Sequence, residues 1–304
     1  MRIWTDKITN NTYLIKMLKF FLFLFAVSGM LTEALAIERR YIASLEESLW
    51  EMTVTTPIYC EMTHVIPNFG KAVFSRAAGR KLQLRLITQQ RFAKGVAVEF
   101  LSESPDWKPI GSKFSLANLQ TSGGETIVEV PESAARFAYL ELHDGFHQGF
   151  YFPESKNLYD SMVVMMSTVR FRSAEPDFEQ CVRGLYLENF EEVKFARIHF
   201  DHDEEFPRID EEDHAFTRML DYLMVDPSIR EVVISGHADH TGSLCYNDSL
   251  SARRAWYVYD LLLGQGVDPK LLRVDFFGER KPLRPGKSVS DLAANRRVSV
   301  ELRR

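Results

Sequence analysis

The stretch Gly236-His237-Ala238-Asp239-His240-Thr241-Gly242, followed by Leu250-Ser251-Ala252-Arg253-Arg254-Ala255, decides how the second half of this chain reads. Val232 and Ile234 share one face of a strand that runs into the first segment. Ala255, Val258, Tyr259 and Leu262 mark a helix that leaves the second and stops at Gly264 and Gly266. The strand end is expected to present the Asp239 carboxylate, and the first turn of the helix the Arg254 guanidinium, both at the rim of a pocket. Such a pair can grip a zwitterion. The acid takes an ammonium, and the arginine takes a carboxylate in a two-point fork. The helix N-terminus would add a preference for anions.

Outward from this stretch the pattern continues. Ala196, Ile198 and Phe200 predict a strand. Phe216, Met219, Leu220 and Leu223 predict a helix ending before Pro227. Val274 and Phe276, then Val298, Val300 and Leu302, predict two further strands. Strand–helix–strand–helix–strand–strand over residues 191–304 is a compact α/β sandwich. Residues 37–190 read instead as β-rich. Leu82, Leu84 and Leu86 alternate with polar residues, as do Val96, Val98 and Phe100. Ile127 to Val130 and Ala138 to Leu142 also read as strands, with turn signals between them. A sandwich or barrel fits this spacing, and Met162 to Arg172 fits a strand or a short helix. The expected class is α+β with two domains, which suits a chain of 304 residues.

Phe20 to Val27 is an apolar run preceded by Lys16 and Lys19, which flank Met17, and Ala34-Leu35-Ala36 has the small-x-small pattern of a signal peptidase site. The run is too short to span a bilayer. Residues 1–36 are therefore expected to be an N-terminal extension and cleaved signal peptide, with Met17 a second candidate start. The alternative is an uncleaved anchor. Without residues 1–36 the chain keeps 33 basic and 40 acidic residues, a net of −7, against −5 for the whole. That balance argues against nucleic acid or anionic lipid as a partner. Export implies an oxidising compartment, so Cys60, Cys181 and Cys245 should give one bridge and one thiol. Three pairings are open. Cys60–Cys181 is favoured because it would tie the two ends of the first half, leaving Cys245 free in a loop of the second.

The two quoted segments, with Gly278-Glu279-Arg280-Lys281-Pro282 and Asn295-Arg296-Arg297-Val298, resemble in order and spacing the peptidoglycan-binding domain of the OmpA family. The resemblance implies that Asp239 and Arg254 hold diaminopimelate of the wall peptide. It also implies that Asp203, at the end of the first strand, walls the pocket. His202 stands where an aromatic is common in the family. Leu250 and Thr241 fall within the motifs, and Arg297 is expected near the rim. The competing reading of His199-Phe200-Asp201-His202-Asp203 and of His237-Ala238-Asp239-His240 is a metal centre. Alternate strand residues face opposite ways, so His199 and His202 would point apart. No phosphate loop, nucleophile elbow or zinc-protease motif occurs, so no catalysis and no cofactor are expected.

The first half carries its own resemblance. Thr56 to Ser75, which includes Cys60, together with Trp107-Lys108-Pro109 and a second cysteine at Cys181, is similar to the N-terminal domain of the MotY family. The resemblance implies a periplasmic T-ring component of the flagellar motor. Residues 37–190 would dock on the basal body and on MotX-like and PomB/MotB-like stator proteins, and residues 191–304 would hold peptidoglycan. The alternatives are a general envelope tether with no motor role and a metal-dependent wall hydrolase.

Overall fold

The computed structural model describes residues 38–108, 111–153, 161–207 and 214–304; the proposed signal peptide lies outside the described residues. The first half contains strands β1 (Arg39–Tyr41), β2 (Trp50–Thr56), β3 (Tyr59–Ile66), β4 (Gly70–Ala77), β5 (Gln83–Thr88), β6 (Ala97–Glu103), β7 (Lys113–Gln120), β8 (Thr126–Val130), β9 (His147–Phe152) and β10 (Met162–Met166). They form two five-stranded sheets, in the orders β2-β3-β4-β5-β8 and β1-β10-β9-β6-β7. All pairings are antiparallel except β1 with β10.

Two helices join the sheets, α1 (Glu132–His143) and α2 (Phe171–Arg183). The first corrects the sequence reading, because Ala138 to Leu142 is helix, not strand. Ala134, Ala135, Ala138 and Leu142 are its buried stripe, at helical spacing. The ambiguous Met162–Arg172 segment is both things: strand to Met166, helix from Phe171. Phe74 and Leu84 from one sheet, Phe100 and Phe150 from the other, and Phe171 from α2 share one core. Cys60 on β3 and Cys181 on α2 are disulfide-bonded across it, with Cα atoms 6.0 Å apart.

The second half runs α3 (Phe190–Val193), β11 (Phe195–His199), α4 (His214–Val225), β12 (Glu231–Gly236), α5 (Leu244–Gly264), a 3-10 turn (Pro269–Leu271), β13 (Leu272–Phe276), α6 (Val289–Asn295) and β14 (Arg297–Arg303). The sheet order is β11-β14-β12-β13, with only β12 and β13 parallel. Helix α5 starts earlier than expected. Ser243 caps it by accepting from the Tyr246 N–H, so Arg254 sits in mid-helix rather than in the first turn. Cys245 is free and exposed in the opening turn of α5, not in a loop. Helix α6 is an element the sequence reading lacked.

The two halves meet without a long linker. Ile58 and Ala78, from the first half, join the core that holds Tyr222 of the second, together with Tyr186 and Phe190 of the segment that leads into it. The Tyr186 N–H donates to the Pro57 carbonyl at 2.8 Å. Gly79 has φ +60°, and a Cβ there would lie 2.6 Å from the Asn189 nitrogen.

Candidate functional site

Strand β12 and helix α5 approach so closely that a Cβ on Gly236 would lie 2.1 Å from the Ser251 carbonyl oxygen. That closeness sets Arg254, one turn along, beneath the strand end. Arg254 is fully buried. Its Nε donates to the Glu204 carbonyl at 2.7 Å, Nη2 to Asp201 at 3.1 Å, and Nη1 to His237 at 3.4 Å. The guanidinium lies 5.0 Å over the Phe200 ring. Burial lowers its pKa to about 10, with the Asp239 charge pulling the other way. Arg254 thus pins the loop after β11 to the end of β12. A guanidinium has five N–H donors. Among the described residues three of them reach backbone carbonyls of the two segments.

Asp239 is also buried. Its Oδ1 accepts from the Thr241 N–H at 2.9 Å and from the Thr241 hydroxyl, and its Oδ2 accepts from Arg296 Nη1 at 3.1 Å. Burial alone would raise its pKa, but the Thr241 bonds and the Arg296 charge outweigh it and hold the carboxyl below its usual range. Arg296 also donates from Nε to the Phe200 carbonyl at 3.1 Å. Asp203, in the left-handed region at φ +63°, accepts from the Tyr246 hydroxyl.

His202, Asp203, Asp239, Thr241, Leu250 and Arg254 therefore line one cleft, together with Tyr246, Asn247 and Arg296. The expected site residues come together, with two differences. Arg297 does not reach the cleft. It is buried on the far side of the strand start, where it donates to the Lys281 and Asn295 carbonyls. Neighbours at a strand start face opposite ways, and it is Arg296 that faces Asp239. Arg254, in turn, is a core group and not a rim group. Tyr246 and Asn247 were not anticipated. Only the helical spacing to Leu250 and Arg254 could have signalled them, once the true start of α5 was known.

His237 stacks on Phe277 with ring centroids 5.4 Å apart. Burial, then the Arg297 and Lys281 charges, push its pKa down to about 4, which keeps it neutral. Among the described residues no three His, Cys, Asp or Glu side chains converge as metal ligands. No helix among them is long and apolar enough to cross a membrane.

Residues 41–186 match the MotY N-terminal domain, and residues 206–296 match the OmpA family. The sodium-type flagellar protein MotY of Vibrio parahaemolyticus is 27% identical over 276 residues, covering 88% of this chain and 91% of that protein. The peptidoglycan-associated lipoprotein of Legionella pneumophila is 40% identical over 78 residues, which are 26% of this chain and 44% of that one. Among solved structures, the peptidoglycan-associated lipoprotein of Burkholderia pseudomallei covers 36% of this chain and 90% of its own, at 26% identity and a TM-score of 0.33.

Proposed function

From a chain that joins a MotY N-terminal domain to an OmpA-family domain, we propose a non-catalytic flagellar motor component that grips peptidoglycan in the periplasm. The observation that carries this is the alignment with a MotY protein through both domains in the same order, over 88% of the chain. The cleft supports it chemically. It brings together a carboxylate, Asp239, and a guanidinium, Arg254, the pair an amino-acid end requires. Residues 37–190 then dock on the basal body, forming part of the T ring and helping stator assembly, with MotX-like and PomB/MotB-like proteins as partners. Residues 191–304 hold the wall, and the covalent wall supplies the counterpart against torque.

Two measurements test this. Swimming of a deletion strain, with and without the restored gene, tests the motor role, and normal motility of the deletion removes it. Co-sedimentation of the purified chain with isolated sacculi tests the wall role, and a chain that stays in the supernatant removes that.

A further inference from the structure

The loop after β11 lies along α5, and a series of contacts fixes it there. Arg254 donates to the Asp201 and Glu204 carbonyls. The Tyr246 hydroxyl donates to the Asp203 carboxylate, and Arg253 Nε donates to the Glu205 carboxylate at 2.5 Å. Last in the series, the Phe206 ring stands edge-to-face against Tyr257, with centroids 5.2 Å apart and planes at 83°. Tyr257 is itself anchored, because it packs against the second half's core. Phe206 is nonetheless 64% exposed. An edge-to-face contact occupies at most one face of its ring, so a face is open to solvent. Single exposed apolar residues are ordinary on protein surfaces. This one is set apart by what adjoins it.

The aromatic shelf is continuous with the cleft. Tyr246, Leu250, Arg253 and Tyr257 follow at i, i+4, i+7 and i+11, which is one face of α5. Tyr246 and Leu250 line the cleft. Tyr257 lies seven residues beyond Leu250, a rise of about 10 Å. In the wall polymer, diaminopimelate is the third residue of a stem peptide. Two residues and a lactyl link join it to the sugar, about 10 Å of extended chain. A stem seated in the cleft by its diaminopimelate therefore brings its sugar within reach of Phe206.

We propose that Phe206 and Tyr257, flanked by the Arg253–Glu205 pair, form a sugar-binding subsite for the glycan that carries the stem. The inference rests on the wall-binding reading and adds glycan recognition to it. A pyranose ring presents the C–H groups of one face, and an aromatic ring meets them with an electron-rich face. The hydroxyls at the rim of the sugar both donate and accept. Arg253 and Glu205 face solvent, at 42% and 41% side-chain exposure, and supply a donor and an acceptor beside the shelf. The stem thus gives the chain its grip through charge, and the glycan adds a second grip through stacking.

The test uses the full chain and two probes in titration calorimetry: the disaccharide tripeptide of the wall, which ends in diaminopimelate, and the same tripeptide without its sugars. The wild type should bind the first about two- to tenfold more tightly, the worth of one aromatic stacking contact. Phe206→Ala should abolish that preference. Phe206→Tyr, which keeps the ring, should retain it. Both variants should melt as the wild type does, since the residue lies outside the core. Equal affinity of the wild type for the two probes overturns the proposal, and so does a preference that survives Phe206→Ala. Peptide-free glycan strands separate the subsite from the cleft, because they should shift the aromatic NMR signals of Phe206 and Tyr257 unaided. If the wild type binds neither tripeptide probe nor sacculi, the wall reading fails. The glycan strands then decide the subsite alone, and unmoved signals remove it.

Discussion

Arg254 is a structural group in the first place: it is fully buried, and three of its N–H groups stitch backbone carbonyls of two segments. A lysine cannot reproduce the planar fork. Arg254→Lys should therefore leave buried carbonyls without donors and destabilise the second half by about 1–3 kcal/mol, as well as weakening wall binding. Asp239→Asn is the cleaner probe. It keeps the shape and the Thr241 contact but removes the charge. Binding to sacculi should weaken by about 1.5–3 kcal/mol, the range for a hydrogen bond to a charged group. Co-sedimentation alongside a thermal melt separates the two variants. Wild-type binding by folded Asp239→Asn would mean that the carboxylate serves Arg296 alone. At this scale the sequence showed the acid and the helix arginine through their motifs. It could not say which of Arg296 and Arg297 faces the acid, because a one-residue uncertainty in a strand start exchanges the two faces.

Among the elements, β3 is tied to the opposite sheet through one side chain. His64 is fully buried, its Nδ1 donates to the Leu49 carbonyl at 2.9 Å, and its Nε2 accepts from the Ser167 N–H at 3.2 Å. This arrangement requires a neutral ring. Burial lowers the pKa to about 4, against the Leu49 bond and with the help of nearby His147, itself lowered to about 4 by burial and the Arg40 charge. The unfolded chain binds these protons at about pH 6.5, the folded chain only near 4, so stability falls as pH drops across that window. His64 alone accounts for up to about 3 kcal/mol. Melting curves at pH 7.5 and 5 should differ accordingly, and a flat profile would show that the rings are not held neutral. The second half's elements were largely legible, because their apolar periodicities ran for whole turns. The misreading of α1 came from a window of five residues, too short to separate a period of 2 from one of 3.6. Helix α6 went unseen although Ser288 and Asp291 form a capping box, a signal read from the ends of a helix and not from its face.

On the proposed role, over the whole molecule, a part that resists torque must not yield between its grip on the wall and its grip on the motor. Within the first half the Cys60–Cys181 disulfide serves that end by fixing α2 to β3 across a separation of 121 residues. In the chain-entropy model a loop of this size is worth about 4–5 kcal/mol before strain. Replacing either cysteine by serine should lower stability by about 2–5 kcal/mol, read from denaturant curves. A variant as stable as the wild type would place the rigidity elsewhere. Between the halves the restraint is packing. Ala78 and Ile58 sit in the second half's core, and Gly79 lets the chain pass against Asn189 in a conformation a side chain resists. Gly79→Val should prise this joint open by both the clash and the positive φ. On the proposed role, the cleft lies away from the joint, so purified Gly79→Val protein should still sediment with sacculi while cells carrying it swim slowly. Swimming at the wild-type rate, with the protein present in the periplasm at normal abundance, would mean that the two halves act as independent grips and that torque does not pass through the joint.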